Sequence, residues 1–414
     1  MRISLTIVSS FVVLNLLGQS TVAVSPADQR IADARKVIAA SPRSFEGYNQ
    51  LATALCRKAR DTSDLSLYDQ ANAAVDRALE LSPGQYEASR LRVSVLLGRH
   101  DFAQALKLAH AVNKRTPDDI AGWALLADAN IGLGNYEEAV QDAQWVLDLR
   151  SGNALGFEKA ARLREVYGDN EGAIEFYGEA LRRTAQSDLD QRAWLFTQQA
   201  RLTLANGHAK TASEILATAV QLFPASQQAA FIKADIAAAN GNYAESATLF
   251  EKCYRNVSSA NNLYLWAKAL DKAGQKDDAS KQYAAFEIQA RAEISQTYNA
   301  NIELTEYYVN RKNDPAEALH IATMESSKRQ DSPTLAALAW ALYQNNKFAE
   351  AKTQMDKALA VGVREASYFC HAARISAKLN NAADTAKFEK EAATFGANAC
   401  SAESQMQASI GVAK

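Results

Sequence analysis

The stretch Ile120–Leu149, IAGWALLADANIGLGNYEEAVQDAQWVLDL, decides the fold. Trp123, Leu126 and Ala127 fall on one stripe of a helix. Gly134 follows and supplies the backbone freedom to leave that helix. Tyr136, Ala139, Ala143 and Val146 then stripe a second helix. Glu137 and Glu138 stand in its first turn, where carboxylates complement the helix dipole. The stretch therefore reads as helix, turn, helix. Neither helix can bury its apolar stripe alone, so the pair needs neighbours of the same kind.

The neighbours are in the sequence. GNYEEAV at Gly134 is answered by GDNEGAI at Gly168, GHAKTAS at Gly207 and GNYAESA at Gly241. The alanine five residues after each glycine belongs to a longer series: Ala105, Ala139, Ala173, Ala212, then Ser246, then Ala279, Ala318 and Ala351. Proline closes several units, at Pro42, Pro83, Pro117 and Pro224. Repetition at this period is the signature of a solenoid. It resembles the tetratricopeptide repeat, whose pattern has an aromatic at position 4, leucine at 7, a small residue at 8, glycine at 15, an aromatic at 17, and alanine at 20 and 27. The unit starting at Ile120 matches at Trp123, Leu126, Ala127, Gly134, Tyr136 and Ala139, and departs at Val146 and at Ser151, where the family has proline. The resemblance implies an all-α, right-handed superhelix of about ten helix-turn-helix repeats.

Ten units are read, starting near Phe45, Tyr86, Ile120, Ala154, Ala193, Gln227, Ala260, Asn299, Ser332 and Ala366, preceded by a capping helix over 27–40. The solenoid is expected over 24–395. Seven additional residues fall in the first unit and five, including Ser187–Asp190, between the fourth and fifth; the second helix of the seventh runs from Asp277 past Glu293 and leaves the register beyond residue 287 open. The polar tail 396–414 is expected to be disordered. Residues 1–23 have the shape of a secretory signal peptide, with Arg2 before an apolar run from Ile3 to Leu17 and small residues at Thr21 and Ala23. Export to the periplasm or medium is therefore expected, with an uncleaved membrane anchor as the alternative and no span after signal removal. Export would permit a disulfide between Cys370 and Cys400; Cys56 and Cys253 are scattered, and Cys253 reads as a small packing residue.

Composition agrees: 48% of the residues are hydrophobic, glycine and proline number only 18 and 7, and the chain is rich in good helix formers. The formal net charge of -2 gives no positive field for nucleic acid. None of the five histidines has a partner four residues on, and no H-E-x-x-H, G-x-S-x-G or phosphate-binding loop occurs, so neither metal, cofactor nor catalytic residues are expected.

The resemblance implies that positions 2, 5, 9 and 12 of each first helix line a concave face that binds protein or peptide partners. Those positions hold Trp194, Phe231, Asp235, Tyr264, Lys268, Asp271, Tyr307, Trp340, Tyr343 and Arg374 in the second half, and Asp128, Arg162 and Arg201 earlier. Aromatics there would serve as interface anchors. Chaperone-tail binders of the family use lysine at position 5 and asparagine at position 9, and neither occurs here. The expected function is a non-enzymatic extracytoplasmic scaffold or adaptor, with an assembly factor for envelope or exopolysaccharide secretion, or an enzyme of unrecognised type, as alternatives.

Overall fold

A computed structural model of the chain describes residues 26–395 and Cys400. The signal-peptide segment and the rest of the tail lie outside the described residues. Helix α1 (Pro26–Ala40) precedes ten helix pairs. The pairs are α2 (Phe45–Thr62) with α3 (Ser66–Leu81), α4 (Tyr86–Gly98) with α5 (Phe102–Arg115), α6 (Ile120–Leu133) with α7 (Tyr136–Leu149), α8 (Ala154–Val166) with α9 (Asn170–Arg183), and α10 (Leu189–Ala205) with α11 (Ala209–Leu222). Then come α12 (Gln227–Ala239) with α13 (Tyr243–Asn256), α14 (Ala260–Lys272) with α15 (Lys276–Glu293), α16 (Asn301–Tyr307) with α17 (Pro315–Ser326), α18 (Ser332–Gln344) with α19 (Phe348–Ala360), and α20 (Ala366–Lys378) with α21 (Ala382–Ala393). Among the described residues there is no strand.

Local chemistry sets the boundaries. Asp119 caps α6 by accepting from Ala121 N at 3.0 Å, and Ser226 caps α12 by accepting from Ala229 N at 3.2 Å. Every turn within a pair contains one residue in the left-handed region. Five are glycine (Gly134, Gly168, Gly207, Gly241, Gly274) and five are Ser63, His100, Asn313, Asn346 and Asn380. Asn hydrogen-bonds locally and tolerates this conformation better than most residues, which explains its use where glycine is missing. The alanine series is fully buried, as at Ala105, Ala139, Ala173 and Ala318, where small side chains let helices approach closely.

The eighth unit departs from the pattern. After Tyr307 the helix continues as one π-helical turn, Tyr308–Lys312, and Asn313 then turns with φ 52°. A π turn accommodates one extra residue. Counted from the buried stripe Asn301, Leu304, Thr305 and Tyr308, this unit starts at residue 298; counted from Ala318 it starts at 299. The π turn absorbs the difference and fixes the register beyond residue 287.

The superhelix is wound tightly enough for successive turns to touch edge to edge. Gln330 N donates to Leu133 O at 3.1 Å, and Ser332 N to the Tyr136 hydroxyl at 3.0 Å. Thr297 Oγ1 donates to Arg99 O at 2.8 Å, and the His100 and Tyr298 rings are 4.8 Å apart. A Cβ on Gly362 would lie 3.0 Å from Tyr167 O. In each case a turn inside one pair meets the loop that opens the pair six units later. At the amino end, Arg57 of α2 pairs with Asp188 at 3.0 Å, Arg30 of α1 pairs with the buried Asp190, and Gln228 Nε2 donates to Arg60 O at 2.9 Å. The inner face is therefore the lining of a closed coil.

Candidate functional site: the inner row of the coil

The inner face is built from first helices, and ion pairs join consecutive ones. Lys159 of α8 reaches Asp128 of α6 at 2.7 Å, Arg201 of α10 reaches Glu165 of α8 at 2.6 Å, and Lys268 of α14 reaches Glu306 of α16 at 3.4 Å. Gln198 of α10 donates to Gln228 of α12 at 3.3 Å. With the register corrected, position 9 reads Asp128, Arg162, Arg201, Asp235, Lys268, Glu306, Trp340 and Arg374. Unlike charges alternate along much of this row.

Three of the expected aromatic anchors are core residues. Tyr264, Tyr307 and Trp340 are only 5%, 6% and 5% exposed. Tyr264, at position 5, packs inside its own pair, with Phe286 and Tyr283 of α15 at 5.0 and 5.8 Å. Tyr307 falls at position 10 once the π turn is counted, and position 10 is buried in Ala129, Leu163, Leu202, Ile236, Ala269 and Ile375 alike. Its hydroxyl donates to Glu287 on α15 at 3.1 Å. Trp340 keeps position 9, but it is sandwiched between His371 at 3.7 Å and Tyr343 at 4.7 Å.

The other expected residues reach the inner face to different degrees. Asp235 is exposed; Trp194, Phe231, Lys268, Asp271, Tyr343 and Arg374 are half-buried. Trp194 carries Arg60 over its ring at 5.2 Å, and Phe231 leans on Phe250 at 6.3 Å. Asp271 is already paired with Arg311 at 2.6 Å and Lys276 at 3.1 Å; burial works to raise its pKa, but those partners outweigh it and hold the carboxyl below the usual range. Sequence reasoning missed Lys159, Glu165, Glu303 and Glu306. A charged residue at position 6 or 12 beside an opposite charge in the next unit was the signal for Lys159 and Glu165.

Enclosure shapes the electrostatics. Asp235 touches solvent, yet the surrounding coil displaces much of the bulk water around it. Loss of hydration pushes its carboxyl up to about 6, against the opposing pull of Lys272 and Lys268. Burial also raises Glu303, with Glu306 adding repulsion, and burial raises Glu365. Lys272 is lowered by burial and by Lys268. The two free thiols are poorly ionised, Cys56 being pushed up to about 12 and Cys253 to about 11 by burial. Among the described residues no group of three or more His, Cys, Asp or Glu is arranged to hold a metal, and no helix is long and apolar enough to cross a membrane.

A right-handed coil of stacked helix pairs with a polar inner row defines a repeat solenoid. Comparisons with known proteins narrow the class. Sequence profiles of the tetratricopeptide repeat match residues 66–129 and 197–261. Tetratricopeptide repeat protein 33 of Mus musculus is 29% identical over 104 residues, covering 25% of this chain and 40% of that protein. Its Xenopus laevis counterpart is 27% identical over 84 residues, 20% of this chain and 33% of that one. The match thus spans well under half of either relative. A chain in the crystal structure of the APC/C hetero-tetramer Cut9–Hcn1 superposes with a TM-score of 0.53 at 13% identity, over 85% of this chain and 60% of that one, a likeness of fold alone. The chain is a tetratricopeptide-repeat protein, and its fold is that of a protein-binding scaffold.

Proposed function

We propose that this protein is an exported, non-enzymatic scaffold that holds an extended segment of a partner protein along the inner row of its coil. The observation that carries the reading is Asp235: an inner-face carboxylate in a water-poor setting that, among the described residues, makes no ion pair while its neighbours in the row do. A cationic side chain of a bound segment would pair with it directly, which neither Lys268 nor Lys272 does, and a charge pair formed in such a setting is less screened than one at an open surface. An extended segment fits a closed coil better than a folded domain does, because the turns already touch along their edges. Export is supported by the apolar amino-terminal run and by the Cys370–Cys400 disulfide, a bond that persists in oxidising compartments.

Site-specific photo-cross-linking tests the reading. A benzophenone amino acid placed at Asp235 should capture a defined partner, and Lys268→Glu should change the yield. The same probe at Trp145, which is 48% exposed on α7, should capture none. Capture through Trp145 alone would refute the inner-row assignment.

A further inference from the structure

The two interruptions of the repeat meet each other in the structure. The additional residues of the first unit lengthen the end of α2, and those before the fifth unit lengthen the start of α10. Arg57, from the first insert, pairs with Asp188, from the second, at 3.0 Å. Arg60 Nη1 donates to Gln191 Oε1 at 3.0 Å, and Arg30 of α1 joins Asp188 at 3.3 Å and also Asp190. This junction is out of step with the rest of the coil. Elsewhere a turn meets the pair six units later, whereas the end of α2 reaches the fifth unit at Asp188 and the sixth at Gln228. Stacking does not require such a contact, because the units of a solenoid are held by their nearest neighbours.

The junction is polar and incompletely satisfied. Asp61 and Asp190 are 3% and 1% exposed, yet Asp61 Oδ2, Asp190 Oδ1 and Arg60 Nη2 have no hydrogen-bond partner among the described residues. Burial raises the Asp61 pKa against the pull of Arg60, and Asp190 adds repulsion. Buried polar groups left without partners are destabilising, and water would satisfy all three if the junction parted. The apolar packing on either side is separate. Ile31, Leu55, Val75 and Leu91 belong to a cluster shared by α1–α4, while Tyr177, Leu195 and Leu202 belong to another in α8–α10. Parting the junction therefore exposes charged groups and little apolar area. The contact at Gly134, by comparison, sets backbone against backbone.

We propose that this junction is a latch: α1–α4, turning about the Arg99–Thr297 contact at the end of α4, swing away from α10 and α12 and open the inner row sideways to a partner segment. The opening belongs to the chain alone; only its use for partner entry rests on the scaffold reading. The test couples nitroxide labels to p-acetylphenylalanine placed at Lys36 on α1 and at Lys210 on α11, both exposed, in the full-length protein with its own cysteines. Pulsed dipolar spectroscopy reads their separation. The wild type should give one main distance and a minor longer one. Asp188→Arg, which opposes Arg30 and Arg57, should raise the longer population about tenfold with helical content unchanged. Adding Arg57→Glu to Asp188→Arg should bring the wild-type distribution back. Glu179→Arg, which breaks exposed pairs with Arg182 and Arg183 on α9, should leave it unchanged. If Asp188→Arg loses helix, Asp188→Asn carries the same expectation with a smaller rise. A wild-type distribution in every helical Asp188 variant, or an equal lengthening in Glu179→Arg, would overturn the latch. Lengthening in Asp188→Arg without partner capture at Asp235 would refute the scaffold reading and leave the latch standing. Partner capture without lengthening would do the reverse.

Discussion

Gly134→Ala and Gly241→Ala form a matched pair that isolates the contact between turns of the coil. Both glycines are left-handed, with φ of 86° and 79°. An alanine Cβ costs about 1–2 kcal/mol in that conformation at either site. At Gly241 nothing lies within 4 Å of the added atom. At Gly134 the Cβ would stand 2.5 Å from Gln330 O, 2.7 Å from Gln330 C and 2.9 Å from Asp331 N, all backbone atoms of the next turn. The edge must separate, which breaks the Gln330 N to Leu133 O and Ser332 N to Tyr136 hydroxyl hydrogen bonds. At about 1 kcal/mol each, their loss brings Gly134→Ala to about 3–4 kcal/mol, against about 1–2 for Gly241→Ala. Urea denaturation measures the difference, and small-angle scattering should show a larger radius of gyration for Gly134→Ala alone. Equal losses with identical scattering curves would mean that the turns do not touch in solution.

Trp340→Ala, which truncates a core ring, should lower stability by about 3–5 kcal/mol, with Tyr264→Ala also clearly destabilising; wild-type melting temperatures would return both residues to the groove. Asp235 is protonated more readily in the folded than in the unfolded state, so its contribution to stability falls as pH rises from about 4 to about 6. Asp235→Asn should remove that component of the melting profile, and an unchanged profile would contradict the enclosure of the row. His100 acts in the opposite sense: it is partly open to solvent, but the loss of hydration where the turns of the coil meet, helped by Arg329, pushes it down to about 4, so stability is lost as pH falls from about 6.5 towards 4, and His100→Asn should flatten that limb. Lys159→Met leaves Asp128 and Glu158 facing each other without their shared cation; a loss of about 1–3 kcal/mol is expected, partly recovered by adding Asp128→Leu, and no recovery would mean that the lysine acts through packing.

The repeat was legible because its signal is local. Buried alanines recur at a spacing set by two helices and two turns, and one left-handed residue per pair marks each turn. The inner row was only partly legible. Position 9 named Asp235, Lys268 and Arg374, which are exposed or half-buried on their first helices, but Tyr307 was placed one residue out, because the π turn after it is invisible to a count that runs from alanine to alanine. Tyr264 was misread for another reason: its ring packs on Phe286 and Tyr283 of the second helix of its own pair, as Phe231 at the same position leans on Phe250, and a position number alone does not say how far a large ring turns towards that helix. The contacts of Leu133 with Gln330 and of Arg99 with Thr297 likewise join residues six units apart, and no short motif records them.

Hydrogen exchange on the partner-bound protein tests the central claim most directly. The account predicts slowed exchange at the inner-row residues of α10, α12, α14 and α16, around Arg201, Asp235, Lys268 and Glu306, with the outer helices α11, α13 and α15 unchanged. Slowed exchange confined to α11, α13 and α15 would place the partner on the outside of the coil and contradict it.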